Sequence, residues 1–276
     1  MTSEAEDNPD DKKMPLIEHL VELRRRLIWS LLAFLVTFGI CFYFANTIFD
    51  FLVQPLAKIW EGQPDRRLIF TALQEKFFVD VKVAMFGGFI LAFPVIANQI
   101  WKFVAPGLYK HEKRAFLPFL IAGPVMFLLG SAFVYYALIP NAFRFFTSFE
   151  EVAREGALAI TAEPKVDEYL GLVMHLIIGF GLAFQLPVVL SLLVRAGIVE
   201  VATLVKFRRY AILGVSVLAA VLTPPDPLSM MVMAVPMALL FEASIVIGRR
   251  MEKSAAKRRA AEEAADKAAQ ARAVVP

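Results

Sequence analysis

The sequence predicts an all-α polytopic membrane protein with six transmembrane helices and both termini on the cytoplasmic side. Three observations carry this prediction. Of 276 residues, 58% are hydrophobic, well above the roughly 45–50% apolar share of soluble domains. The apolar residues gather in six runs, roughly 27–45, 77–104, 115–139, 168–194, 207–222 and 228–247, most of them near the about 20 residues that cross a bilayer. Lys and Arg collect in the segment up to Arg26, in the 105–114 connection with Lys102, in the 195–209 connection and in the C-terminal tail, which places those segments inside by the positive-inside rule.

Taken in order, residues 1–15 (MTSEAEDNPDDKKMP) are acidic and polar with no apolar h-region, so they read as a disordered tail rather than a signal or transit peptide. Residues 16–248 form the membrane domain. Its first segment, EHLVELRRR from Glu18 to Arg26, places carboxylates where a membrane protein usually presents only positive charge. Glu22 and Arg26 stand in the favourable i,i+4 order, a pairing worth about 0.2–0.5 kcal/mol on a helix, and Arg25 and Arg26 read as ordinary positive-inside anchors.

The first outer connection, about 46–76, holds Pro55, Gly62 and Pro64 between apolar stretches IFDFLV and LAKIW, the pattern of short amphipathic pieces lying at the membrane surface. The second, about 141–167, opens with NAFRFFTSF and is read the same way. Spans two to four carry Pro94, Pro118, Pro124 and Pro187, each removing a backbone hydrogen bond and able to bend its helix. Several bends in one bundle predict a concave wall suited to docking. The fifth span is short: about 16 residues reach about 24 Å against a core of about 30 Å. Thr223-Pro224-Pro225-Asp226-Pro227 reads as a rigid turn that makes the last two spans a hairpin. Residues 249–276, rich in Ala, Lys, Arg and Glu, read as a charged cytoplasmic tail.

Catalytic chemistry leaves no trace. There is no HExxH, GxSxG or GxxxxGK[ST] pattern, and the single cysteine, Cys41, lies in an apolar run. The three histidines, His19, His111 and His175, are scattered, and His175 reads as an interhelical hydrogen bonder. No catalytic residue, metal or cofactor is expected, and nothing points to nucleic acid. Gln185 in GFGLAFQLPVV lies well inside span four beside Pro187. Together with Asp80 and Lys82 it leaves open a small-solute secondary transporter.

HLVELRRRL, AFPVIANQIWKFVAPGLYKHEKR (Ala92–Arg114), GFGLAFQLPV and LTPPDPLSMMVMAVPMALLFE (Leu222–Glu242), in this order, resemble the TatC family, the signal-peptide receptor subunit of the twin-arginine protein translocase. The resemblance covers roughly Pro15 to Arg250 and implies a bacterial inner-membrane protein. It would bind the twin-arginine signal peptides of folded substrates, recruit TatA- and TatB-like single-span subunits and self-associate among membrane lipid. Carried over by motif, it implies that Glu22 and Glu112 receive the arginines, with Arg24, Phe103, Lys110 and His111 beside them. It implies partner contacts at Pro55, Gln185 and Met230, and a last outer turn of Pro224, Pro225 and Asp226. Two positions depart from the family pattern: Gln185 stands where many members carry Glu, and Met230 where Gln is frequent.

The chemistry of the two acids fits that role. A guanidinium engages a carboxylate through two parallel hydrogen bonds, which an ammonium cannot do. Exposed ion pairs contribute about 0–1 kcal/mol each, whereas micromolar binding needs about 8 kcal/mol. The acids therefore specify the ligand, and the apolar part of a signal, buried at about 25 cal/mol per Å², supplies most of the affinity. Glu112 also has an ordinary role, complementing the helix dipole in the first turn of span three.

Overall fold

The structure is a computed structural model describing residues 13–62, 66–104, 113–150, 161–223 and 227–273. Helix follows helix: α1 (Lys13–Tyr43), α2 (Ala45–Ile59), α3 (Glu75–Val104), α4 (Lys113–Phe133), a π-helical turn (Val134–Leu138), α5 (Ile139–Thr147), α6 (Val166–Ala183), α7 (Leu186–Arg195), α8 (Val201–Lys206), α9 (Arg208–Leu222) and α10 (Pro227–Ala273). Five stretches are long and apolar enough to cross a membrane: Ile17–Tyr43, Glu75–Phe103, Pro118–Thr147, Val166–Arg195 and Met230–Ser254. α9 falls below that length and corresponds to the fifth of the six runs read from the sequence. Its 15 residues give a length of about 22 Å, so the short fifth span of the sequence reading is a short helix in the structure.

The helices differ from the sequence expectation at their ends. α1 runs from Lys13, so EHLVELRRR is its first part rather than a segment before it; no Gly or Pro interrupts residues 16–38. α2 is one 15-residue helix with Pro55 inside it, where two pieces were expected. NAFRFF continues span three as α5 instead of lying in a loop, through a π turn immediately before Pro140. That turn widens the helix where the proline has no amide to offer. Asn141 Nδ2 donates to the Ala137 carbonyl at 2.8 Å in the same region. Span four is broken as its proline suggested: α6 ends at Ala183, the residue four before Pro187, and α7 restarts at Leu186. α10 continues unbroken into the charged tail as far as Ala273.

The contacts divide the chain into two units, 1–124 with 162–174 and 125–161 with 175–276. In the first, α1 packs along α3, and α2 packs against the other end of α3. The α1–α3 approach is set by glycine: a Cβ on Gly88 would lie 2.9 Å from both Cα and N of Phe38. Beside it the Thr37 hydroxyl donates to the Gly88 carbonyl at 2.8 Å. Small residues with a hydroxyl hydrogen bond are how helices associate where lipid removes the hydrophobic drive. The core holds Val79, Val83, Ala84 and Phe86 of α3 with Leu52 and Leu56 of α2 and Tyr169, Leu170 and Val173 of α6. Tyr169 donates its buried hydroxyl to the Leu52 carbonyl at 3.0 Å.

One extended pairing joins the two long connections of this unit. Ile69 and Lys165 form an isolated parallel bridge, with Ile69 N donating to Pro164 at 3.2 Å and Val166 N to Ile69 at 2.9 Å. Arg67–Glu163 at 3.8 Å and Lys82–Asp167 at 2.6 Å tie the same region. In the second unit, Gly181 admits Phe127, whose ring a Cβ there would meet at 2.5 Å, and Gly130 admits Phe184. Val194, Val201, Leu204, Phe241 and Ile245 form its second cluster. Glu252 of α10 accepts the Val201 amide at 3.0 Å, which satisfies a free donor in the first turn of α8.

Candidate functional site

The site grows from the spacing of charges on α1. Glu22 and Arg26 are one turn apart, so a continuous helix stacks them on one face. Arg26 Nε donates to Glu22 Oε1 at 3.0 Å, and Nη2 donates to the same oxygen. The third donor, Nη1, reaches across to Gln99 Oε1 of α3 at 3.3 Å. The two side chains of the ion pair remain 22% and 33% exposed, Arg26 the more covered. Around them opens a cleft of about 300 Å³ lined by Glu22, Arg25, Arg26, Trp29, Gln99 and Lys102. Among the described residues, Glu22 is its one acid beside three cations.

One turn towards the N-terminus of α1, the His19 ring stacks on Phe103 of α3, with centroids 4.3 Å apart and planes 16° from parallel. The His19–Phe103 stack and the Arg26–Gln99 hydrogen bond therefore hold the same ends of α1 and α3 together and fix the cleft between them. Beside Gln99, the shielded Asn98 Oδ1 has no hydrogen-bond partner among the described residues. The cleft can accept a hydrogen-bond donor of positive charge at Glu22, while its three cations disfavour one that makes no such contact.

The expected residues fall unevenly on this geometry. Glu22 lines the cleft and Phe103 braces it. Arg24 is exposed and is not among the lining residues, whereas Arg25 and Arg26, read as anchors, both line it. The placement follows from the 100° advance per residue: Arg26 shares the face of Glu22, and Arg24 turns away from it. Lys110, His111 and Glu112 lie outside the described residues, as do Pro224, Pro225 and Asp226. Gln185 is half-buried at the break between α6 and α7, and its carbonyl accepts the Val189 amide at 2.9 Å. Met230 is half-buried in the first turn of α10, and Pro55 is buried within α2. His175 is exposed on α6 rather than turned into a helix interface.

Asp80 and Lys82 do not pair with each other: Asp80 is held by Lys76 and Lys82 by Asp167. The two charges thus end in two separate ion pairs. Sequence reasoning missed that Gln99, Trp29 and Lys102 line the same cleft as Glu22. The only signal was an amide near the inner end of span two, and nothing local to α3 indicates which residue of α1 it faces.

Residues 18–236 match the family model described as TatC, Sec-independent protein translocase protein. A Sec-independent protein translocase protein TatC from Magnetococcus marinus is 47% identical over 254 residues, covering 92% of this chain and 91% of that one. The TatC of Rickettsia prowazekii is 44% identical over 230 residues, 83% of this chain and 90% of that one. A crystal structure of the twin-arginine translocase receptor TatC superimposes with a TM-score of 0.72 at 40% identity, covering 85% of this chain and 99% of that chain. The chain belongs to the TatC family of Sec-independent protein translocase proteins.

Proposed function

We propose that this translocase component is the receptor for twin-arginine signal peptides and that the α1–α3 cleft reads one of the two arginines. The observation that carries the reading is the single carboxylate, Glu22, set among Arg25, Arg26 and Lys102. A cationic cleft rejects basic peptides in general, and one acid in it admits the side chain that satisfies a carboxylate with two parallel hydrogen bonds. Glu112, in the connection between α3 and α4, is the second acid, flanked by Lys110 and His111. Both lie on the cytoplasmic side of a bacterial inner membrane with both termini inside, in keeping with the Lys and Arg distribution. Residues 16–248 are the membrane domain between two polar tails.

The apolar part of the signal follows the arginines into the membrane alongside the helices, where its burial supplies the affinity the ion pairs lack. Single-span partner subunits dock on span four at the break beside Gln185, where an amide offers a hydrogen bond to a partner's polar side chain at a lower desolvation cost than a carboxylate. Self-association and contact with lipid complete the assembly. The test is export of a folded reporter bearing an RR or a KK signal in cells lacking their own TatC. This chain should restore export of the RR reporter only, and Glu22→Ala with Glu112→Ala should abolish it. Undiminished crosslinking of the double variant to an RR signal would refute the assignment of the two acids.

A further inference from the structure

We propose that Arg26 is an internal ligand of Glu22 that an incoming signal arginine must displace, an inference that rests on the reading of the cleft as the arginine site. The geometry is that of an occupied site. Arg26 gives Nε and Nη2 to the one oxygen Oε1, leaving Oε2 without a hydrogen bond among the described residues, and it comes from the same helix one turn away. One Nη1 hydrogen goes to Gln99, so the guanidinium is anchored at both ends while Nε and Nη2 stay on the acid. With 22% exposure against 33% for Glu22, the arginine is the more covered partner. The acid therefore faces the cleft with Oε1 already taken by Arg26, and a second guanidinium can place two parallel hydrogen bonds on both oxygens only by displacing Arg26 from it.

The consequence is quantitative. A tethered competitor lowers the apparent affinity of every ligand for Glu22 by one common factor, since each must pay the same cost of opening the Glu22–Arg26 pair. Arg-Arg and Lys-Lys signals are both weakened, and only the one with the stronger intrinsic interaction stays above the threshold for productive binding. Arg26 thereby sets the stringency of the site while leaving the ratio of the two affinities unchanged. A residue that merely oriented Glu22 would act with the opposite sign, because removing it would weaken binding.

The experiment uses membranes containing the full chain with its partner subunits and measures photocrosslinking of RR and KK precursors as a function of precursor concentration. Arg26→Lys keeps the charge of the cleft but replaces the fork by a single ammonium contact. It should raise the apparent affinity for the RR precursor about two- to fivefold, which is about 0.4–1 kcal/mol by the tenfold rule, and should bring KK crosslinks up by the same factor. Gln99→Leu, which releases the far end of the guanidinium, should act in the same direction by less. In a Glu22→Ala background the gain from Arg26→Lys should vanish. Unchanged or weaker RR binding in Arg26→Lys would overturn the inference, as would a gain that persists without Glu22. Failure of the underlying reading looks different: Glu22→Ala alone would leave RR crosslinking intact.

Discussion

Replacing Gly88 by alanine tests whether the α1–α3 contact is what builds the cleft. The added methyl carbon would sit 2.9 Å from Phe38 Cα and N, and both are backbone atoms, so no rotamer change relieves the clash. The helices must separate by several tenths of an ångström. Overpacking of this kind costs about 1–3 kcal/mol, and the Thr37–Gly88 hydrogen bond of 2.8 Å is stretched, at about 0.6 kcal/mol for a bond between membrane helices. Gly39 of α1 has nothing within 4 Å of its own Cβ position and serves as the internal control. Any gain in helix propensity, about 1 kcal/mol for Gly to Ala, applies to both and cancels in the comparison. Gly88→Ala is therefore expected to be about 2–3 kcal/mol less stable than Gly39→Ala in a denaturing-detergent titration of the purified chain followed by circular dichroism. Gln99 lies about 16 Å further along α3, so the same variant should also loosen the 3.3 Å Arg26–Gln99 bond and lower RR precursor crosslinking. Equal stability of the two alanine variants, within about 0.5 kcal/mol, would show that the close approach is not what holds the pair.

Two further outcomes follow from the first unit. Tyr169→Phe removes the buried hydroxyl that donates to the Leu52 carbonyl at 3.0 Å, and should cost about 0.5–1.5 kcal/mol in the same titration, the net contribution of one such bond. Lys82→Met should cost no more than about 1 kcal/mol and leave RR-dependent export unchanged, because Lys82 and Asp167 form a largely exposed pair; abolished export in this variant would show that the pair does more than hold the two elements together.

Most of the helices could be read from residues because their causes are local. The length of an apolar run sets the number of spans, and Pro187 breaks span four where it lies because its missing amide leaves Ala183 without a partner. The same logic failed at Pro140 and Pro55, and at Pro94, Pro118 and Pro124, which lie inside α3 and α4 without ending them. A single proline can be absorbed by a π turn or carried within a helix when the flanking residues are buried, as Ile139, Ala142, Leu52 and Leu56 are. Whether that happens depends on what packs alongside. The parallel pairing of Ile69 with Lys165 had no pattern to announce it, since two short bridging segments far apart in the chain carry no periodicity.

The sequence by itself determined the membrane class, the spans and the motif order that places the chain in its family, and it put Glu22 one turn before Arg26. Those are properties of hydropathy and of helical phase, which need no knowledge of neighbouring helices. Only the tertiary structure decided that Arg26 lines the cleft beside Glu22 and Arg24 does not, that Gln99 reaches across to hold the guanidinium, and that His19 stacks on Phe103 to brace the cleft. These contacts link α1 to α3 over 73 residues of chain in the case of Arg26 and Gln99. Their register is set by the close approach at Gly88, which no local pattern in either helix reveals.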